Sequence, residues 1–180
     1  MSRIVAVVGM PGSGKGVLAR VAADAGIIVF SMGDIVREAL LQSQLDETPE
    51  NVASTALSIR EKHGEAIVAH RMLPRIQAIE GDDLILIEGV RQSIEMDVFR
   101  EAFGDDFTIL AIQADARVRS HRIAGRGRGE DGTSDDILKR DMRETDWGLP
   151  ELIKSADETL VNDVNLDTFE SRCRCWLGQT

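Results

Sequence analysis

Gly9-Met10-Pro11-Gly12-Ser13-Gly14-Lys15-Gly16 follows the apolar run Ile4-Val5-Ala6-Val7-Val8 and precedes Val17-Leu18-Ala19-Arg20-Val21-Ala22-Ala23. An apolar strand, a glycine-rich loop and a helix, in that order, form the setting of a phosphate-binding loop. Glycines let the backbone curl so that successive N–H groups converge on phosphate oxygens, and the helix start adds its positive dipole end. Lys15 is placed to reach the terminal phosphates. Gly16 stands where most such loops carry Ser or Thr for magnesium. The stretch from Gly9 to Val17 is therefore the expected donor-nucleotide site. A tight turn with a chance lysine would use the same residues, but pattern and flanks together favour the nucleotide.

Outward from this loop, apolar runs alternate with helix-like segments. Gly26 to Phe30, Asp83 to Gly89, Phe107 to Ala114 and Glu158 to Asn162 read as four further strands. Continuous apolar runs such as Leu84-Ile85-Leu86-Ile87 suit strands buried on both faces. Helices are expected over Ile94 to Phe103, Asp115 to Ala124, about Ser134 to Asp146, and Leu166 to Leu177. Thr48-Pro49-Glu50 reads as a helix start, with Thr48 as N-cap and Pro49 in the first turn. Pro74 is expected to kink or divide a later helix. The fold expectation is α/β: a P-loop NTPase with a five-stranded parallel sheet and helices on both faces. It forms one domain over 1–180, with a helical acceptor-binding insertion at 34–80 and a lid loop at 125–133. Ligands of such sheets bind at the carboxyl ends of the strands, which places Gly9, Gly33, Glu88 and Asp115 on one rim.

A chain of 180 residues with 43% hydrophobic content can bury one sizeable core. No apolar run spans a membrane, and the first leads into the glycine loop rather than a cleavage site. A cytoplasmic protein without membrane partners is expected. Twenty-one basic against thirty-one acidic residues leave a net charge of −10, which disfavours nucleic-acid partners. Cys173 and Cys175 lie too close in sequence for an unstrained disulfide and read as ordinary cysteines of a terminal helix. His63, His70 and His121 show no nucleophile–base arrangement, and Trp147 and Trp176 are expected to pack.

Three further patterns carry chemistry. Asp34 and Arg37, three apart at the start of a helix, can orient a phosphate acceptor through the planar arginine fork. A helix-end aspartate and a surface arginine would look the same. Glu88, ending the third strand in Ile87-Glu88-Gly89-Val90-Arg91, can anchor magnesium directly or through water, and Arg91 can bind an acceptor phosphate. Arg119, Arg122 and Arg126 follow i, i+3, i+7 spacing, with Arg128 in the loop and Arg140 and Arg143 beyond. In an acidic chain such a cluster suits the negative charge spread over a phosphoryl group in transfer. Gly125, Gly127, Gly129 and Gly132 would give a lid its freedom. Salt bridges to Glu130, Asp131, Asp135, Asp136 and Asp141 are the plainer use of those arginines. Asn162 is placed to touch the donor's base.

The glycine loop and the Gly33-Asp34…Arg37 pair resemble the matching motifs of the P-loop nucleoside monophosphate kinase superfamily, adenylate kinases in particular. Over nearly its full length, including Glu88 to Arg91 and Trp147-Gly148, the chain is more similar to an archaeal adenylate-kinase-related family. In adenylate kinases the arginine after the strand-end acid comes one residue later than Arg91. The resemblance implies ATP as phosphate donor, Mg2+, and a small-molecule nucleotide acceptor held by Asp34, Arg37 and Arg91. Lys15, Arg122, Arg126 and Arg128 would serve catalysis, and Glu88 the metal. A nucleoside monophosphate is the first acceptor class, a coenzyme-A precursor the second. A nucleotide-responsive binding protein with slow ATP hydrolysis is the reading from another class. A GTPase is disfavoured, since no Asn-Lys-x-Asp motif occurs.

Overall fold

A computed structural model describes residues 2–81, 84–126 and 134–178 of the chain. Strands β1 (Arg3–Val8), β2 (Ile28–Ser31), β3 (Leu84–Glu88), β4 (Phe107–Gln113) and β5 (Glu158–Val161) form one sheet in the order β2-β3-β1-β4-β5. Every pairing is parallel. All five carboxyl ends therefore share one edge, as expected.

The apolar runs owe their length to burial on two faces. Along β1, Ile4, Ala6 and Val8 face one core while Val5 and Val7 face the other. Ile85 and Ile87 against Leu86, and Ile109 and Ala111 against Leu110 and Ile112, repeat that alternation. The smaller core is closed by α1 (Lys15–Asp24) and α9 (Leu166–Trp176), through Leu18, Val21, Phe169 and Cys173. The larger is closed by α2 (Met32–Gln42), α3 (Pro49–His63), α4 (Ile67–Gln77), α5 (Ser93–Phe103) and α8 (Leu149–Lys154). The remaining helices are α6 (Ala116–Arg126) and α7 (Ser134–Asp146).

Thr48 caps α3 as its spacing predicts: its hydroxyl accepts from the Asn51 amide at 3.2 Å. Pro74 does not divide the helical block. It lies within α4, which runs on to Gln77. The break comes at Gly64, with φ +96°, where α3 ends. Two further differences concern α8, which the sequence reading left without an element, and the lid. Gly125 and Arg126 are the last residues of α6, while 127–133, including Arg128, lie outside the described residues. Among the described residues no helix is long and apolar enough to cross a membrane.

Candidate functional site

The loop between β1 and α1 is shaped from beneath by the far end of the sheet. Gly14 has φ +115°, a conformation that side chains resist, and a Cβ there would press on the Asn162 amide and on the Phe169 ring at 3.0 Å. The buried Asn162, just past β5, donates from Nδ2 to the Ser13 carbonyl at 2.7 Å. Its Oδ1 accepts from Arg122 at 3.1 Å, and the same arginine nitrogen donates to the Val164 carbonyl at 3.0 Å. Asn162 thus props the loop rather than facing a base, because the β4–β5 pairing brings the end of β5 beneath it. On another flank the buried Arg119 donates to the Pro11 carbonyl at 2.8 Å and pairs with Asp141 at 3.0 Å.

Lys15 bends back over the loop, its ammonium donating to the Gly9 carbonyl and, at 3.3 Å, to the Met10 carbonyl. The Ser13 hydroxyl is buried without a hydrogen-bond partner. A buried orphan hydroxyl inside a curled, glycine-lined loop is a donor awaiting an acceptor, which fits phosphate. Gly16 is exposed, and a Cβ on it would meet nothing within 4 Å. Packing therefore does not exclude a serine there.

The loop opens into a cleft of about 320 Å³, small-ligand size. Pro11, Gly12, Gly14, Lys15 and Gly16 form its donor end; Val36, Val52, Ala53, Ala56 and Val68 give an apolar wall. Glu88 and Gly89 line it from the end of β3, and Arg37, Arg60, Arg91, Lys139 and Arg143 add positive charge. Among the described residues, six lysines and arginines and two carboxylates, Glu50 and Glu88, line this cleft. In a chain of net charge −10 that excess concentrates anion-attracting potential in one place.

The predicted site residues divide accordingly. Pro11, Gly12, Gly14, Lys15, Gly16, Arg37, Glu88 and Arg91 share the cleft, while Gly9, Met10, Ser13 and Val17 are outside its lining. Asp34 lies in the first turn of α2 but outside the cleft lining, paired with Arg37 at 2.7 Å; Glu47 holds the same arginine at 3.2 Å. Arg122 serves Asn162 as described, and the Arg126 side chain, like Arg128, is outside the described residues. Among the described residues no three His, Cys, Asp or Glu converge on a metal position. Glu88, lining the same cleft as Lys15 and Gly16, suits Mg2+ of the kind held by one carboxylate plus substrate phosphates. The three histidines are exposed.

Sequence reading missed Arg60 and misjudged Trp147. Arg60 is buried on α3; it donates to Glu95 at 2.8 Å and its guanidinium lies over the Trp147 ring, 5.1 Å from the centroid. Arg143 also lies over that ring, at 5.4 Å. Trp147 lines the cleft instead of entering a core. Val52, Ala56 and Arg60 fall on one face of α3 by i, i+4, i+8 spacing, which would have flagged Arg60 had that face been known to meet a ligand.

With this geometry in view, comparison with known proteins places the chain. An AAA domain model matches residues 8–139. A UPF0200 protein of Hyperthermus butylicus is 41% identical over 177 residues, covering 98% of this chain and 94% of that protein. The chain belongs to the UPF0200 family. A UPF0200/UPF0201 protein of Archaeoglobus fulgidus is 38% identical over 174 residues, 96% of this chain but 54% of the relative, so the chain spans about half its length. Among solved structures, TT1252 from Thermus thermophilus aligns with a TM-score of 0.65 at 18% identity, covering 98% of this chain and 97% of the other. Shikimate kinase from Acinetobacter baumannii aligns with a TM-score of 0.59 at 15% identity, covering 99% and 94%. At those identities the likeness is one of fold, and the fold is P-loop kinase-like.

Proposed function

We propose that the protein transfers the γ-phosphoryl group of ATP to a small nucleotide-like acceptor, with a nucleoside monophosphate as the first acceptor class. One observation carries this reading: the glycine loop with Lys15 opens into the same cationic cleft as Glu88, Arg91 and Arg37. A phosphate loop alone would serve hydrolysis or mere binding. A second set of arginines across a small cleft suits a second anionic substrate.

In this reading the loop amides and Lys15 hold the donor phosphates, and the Ser13 hydroxyl gains the partner it lacks. Arg37, Arg60 and Arg91 bind the acceptor's anionic group, with Asp34 orienting Arg37. The apolar wall from Val36 to Val68 takes the rest of the acceptor. An acceptor phosphate oxygen attacks the γ-phosphorus; the bond from that phosphorus to the β–γ bridging oxygen breaks, and ADP leaves. No covalent enzyme intermediate is required, since positioning and charge stabilisation supply the catalysis. Glu88 would hold Mg2+, whose charge would offset that of the donor phosphates. Arg122 acts on the donor side through Asn162, and Arg126 and Arg128 would close over the transfer.

The test is ADP formation from ATP and magnesium against a panel of nucleoside monophosphates and dephospho-coenzyme A. Turnover that requires one acceptor supports the reading, and Lys15→Ala is expected to lower it on the order of a hundredfold or more. Slow ATP hydrolysis indifferent to every acceptor would replace it with a nucleotide-responsive binding protein.

A further inference from the structure

Asp141 and Glu144, three residues apart on α7, each pair with an arginine: one bonded to the donor loop, the other lining the cleft. Asp141 pairs with Arg119 at 3.0 Å, and the same Arg119 nitrogen donates to the Pro11 carbonyl of the donor loop at 2.8 Å. Glu144, only 2% exposed, pairs with Arg91 at 3.0 Å. Arg91 lines the cleft, and its backbone amide donates to Glu95 at 3.0 Å; the other Glu95 oxygen accepts from Arg60 at 2.8 Å. The inner face of α7 adds Lys139 and Arg143 to the cleft lining, while Leu138 and Met142 on its outer face are exposed. Asp141 and Glu144 thus tie this helix to the donor loop and to the cleft lining.

A buried carboxylate such as Glu144 is costly to desolvate, and a buried ion pair is seldom retained for stability alone. What it does supply is direction. A carboxylate fixed against one guanidinium nitrogen sets the plane in which that fork meets the cleft. Since Asp141 and Glu144 share one helical face, a shift of α7 moves both arginines together.

We infer that Asp141 and Glu144 are positioning residues, Asp141 for the donor loop through Arg119 and Glu144 for the acceptor side through Arg91, and that α7 couples the two ends of the cleft. This rests on the reading of the cleft as a joint donor and acceptor site. Neither carboxylate needs to touch a substrate. Both act through their arginines, so each has its own signature at one end and a shared one in the coupling.

The experiment uses the full chain carrying Trp176→Phe, which leaves Trp147 as the emitter. Magnesium–ADP is titrated to report the donor end. Inorganic phosphate is then titrated into protein saturated with magnesium–ADP to report the acceptor end through Trp147 emission. Glu144→Gln is expected to raise half-saturating phosphate roughly tenfold and leave ADP affinity within about twofold. Asp141→Asn is expected to do the reverse. In the parent protein phosphate should tighten ADP binding, and both substitutions should remove that coupling, since linkage between the sites is reciprocal. Thermal melting checks folding; if Glu144→Gln does not fold, Glu144→Asp keeps the charge, shortens the reach and should show the same split to a smaller extent. Equal changes at both ends, no change at either, or no phosphate effect on Trp147 or on ADP affinity in the parent overturns the inference. An acceptor panel that yields no turnover while the split persists would refute the proposed transfer and leave the positioning roles standing.

Discussion

At the scale of single residues, Gly16 is the position where chemistry and packing part company. The helix start has room for a larger side chain there, yet no hydroxyl is present to bind a metal. Gly16→Ser is therefore expected to fold normally and to lower the magnesium concentration needed for half-maximal ATP binding or turnover, measured by magnesium titration at fixed ATP. An unchanged requirement would remove the metal from this corner of the cleft. The cysteines differ for a simpler reason. Cys173 lies on the core-facing side of α9, and burial pushes its thiol up to about 11, while Cys175 is exposed. A thiol reagent at neutral pH should label Cys175 quickly and Cys173 only on unfolding; Cys175→Ser should abolish the fast phase.

At the scale of elements, Glu95 joins α3 to the start of α5. It is fully buried, and its two oxygens take the Arg60 side chain and the Arg91 amide. Glu95→Ala would strand the buried Arg60 charge, a loss of about 3–5 kcal/mol. In a chain of this length that is a fall in melting temperature on the order of 10 °C, readable by calorimetry. An exposed pair gives a contrast. Arg75 on α4 grips Glu38 on α2 through two hydrogen bonds of 2.7 and 2.6 Å, but both side chains are largely solvated, and screening limits its worth. The helix boundaries show how far local signals reach. Thr48-Pro49 started α3 because a side-chain cap and a fixed φ are properties of adjacent residues. Pro74 does not divide α4, which packs against α2 and α5 and continues to Gln77.

At the scale of the whole molecule, acid should weaken the fold. The hydrogen bond from Arg75 holds the Glu38 carboxyl below its ordinary value, and that from Arg20 does the same for Glu170. A carboxylate with a lowered folded-state value stabilises the protein above the ordinary carboxylate range, and loses that contribution as pH falls through the lowered value. Melting temperature is expected to be flat near neutrality and to fall on acidification through that window. Glu38→Gln should reduce the acid-side slope, and added salt should reduce it as well, since the Arg75–Glu38 pair is open to solvent. A slope unaffected by Glu38→Gln would assign the acid sensitivity elsewhere.

Local order was legible in the chain because it is local. The glycine loop, the five apolar runs and the Thr48 cap depend on residues within a few positions of one another, and the parallel sheet follows from their alternation with helices. Gly9, Gly33, Glu88 and Asp115 could be placed on one rim for the same reason: each ends or follows a strand. What tertiary structure alone decided is which distant side chains meet. Asn162 reaches Ser13 across 149 positions because β5 pairs beside β4. Arg60, Glu95, Arg91 and Glu144 join only when α3, α5 and α7 close on one cleft. Spacing along the chain encodes the faces of helices, but the partner across a cleft is fixed by how those helices pack.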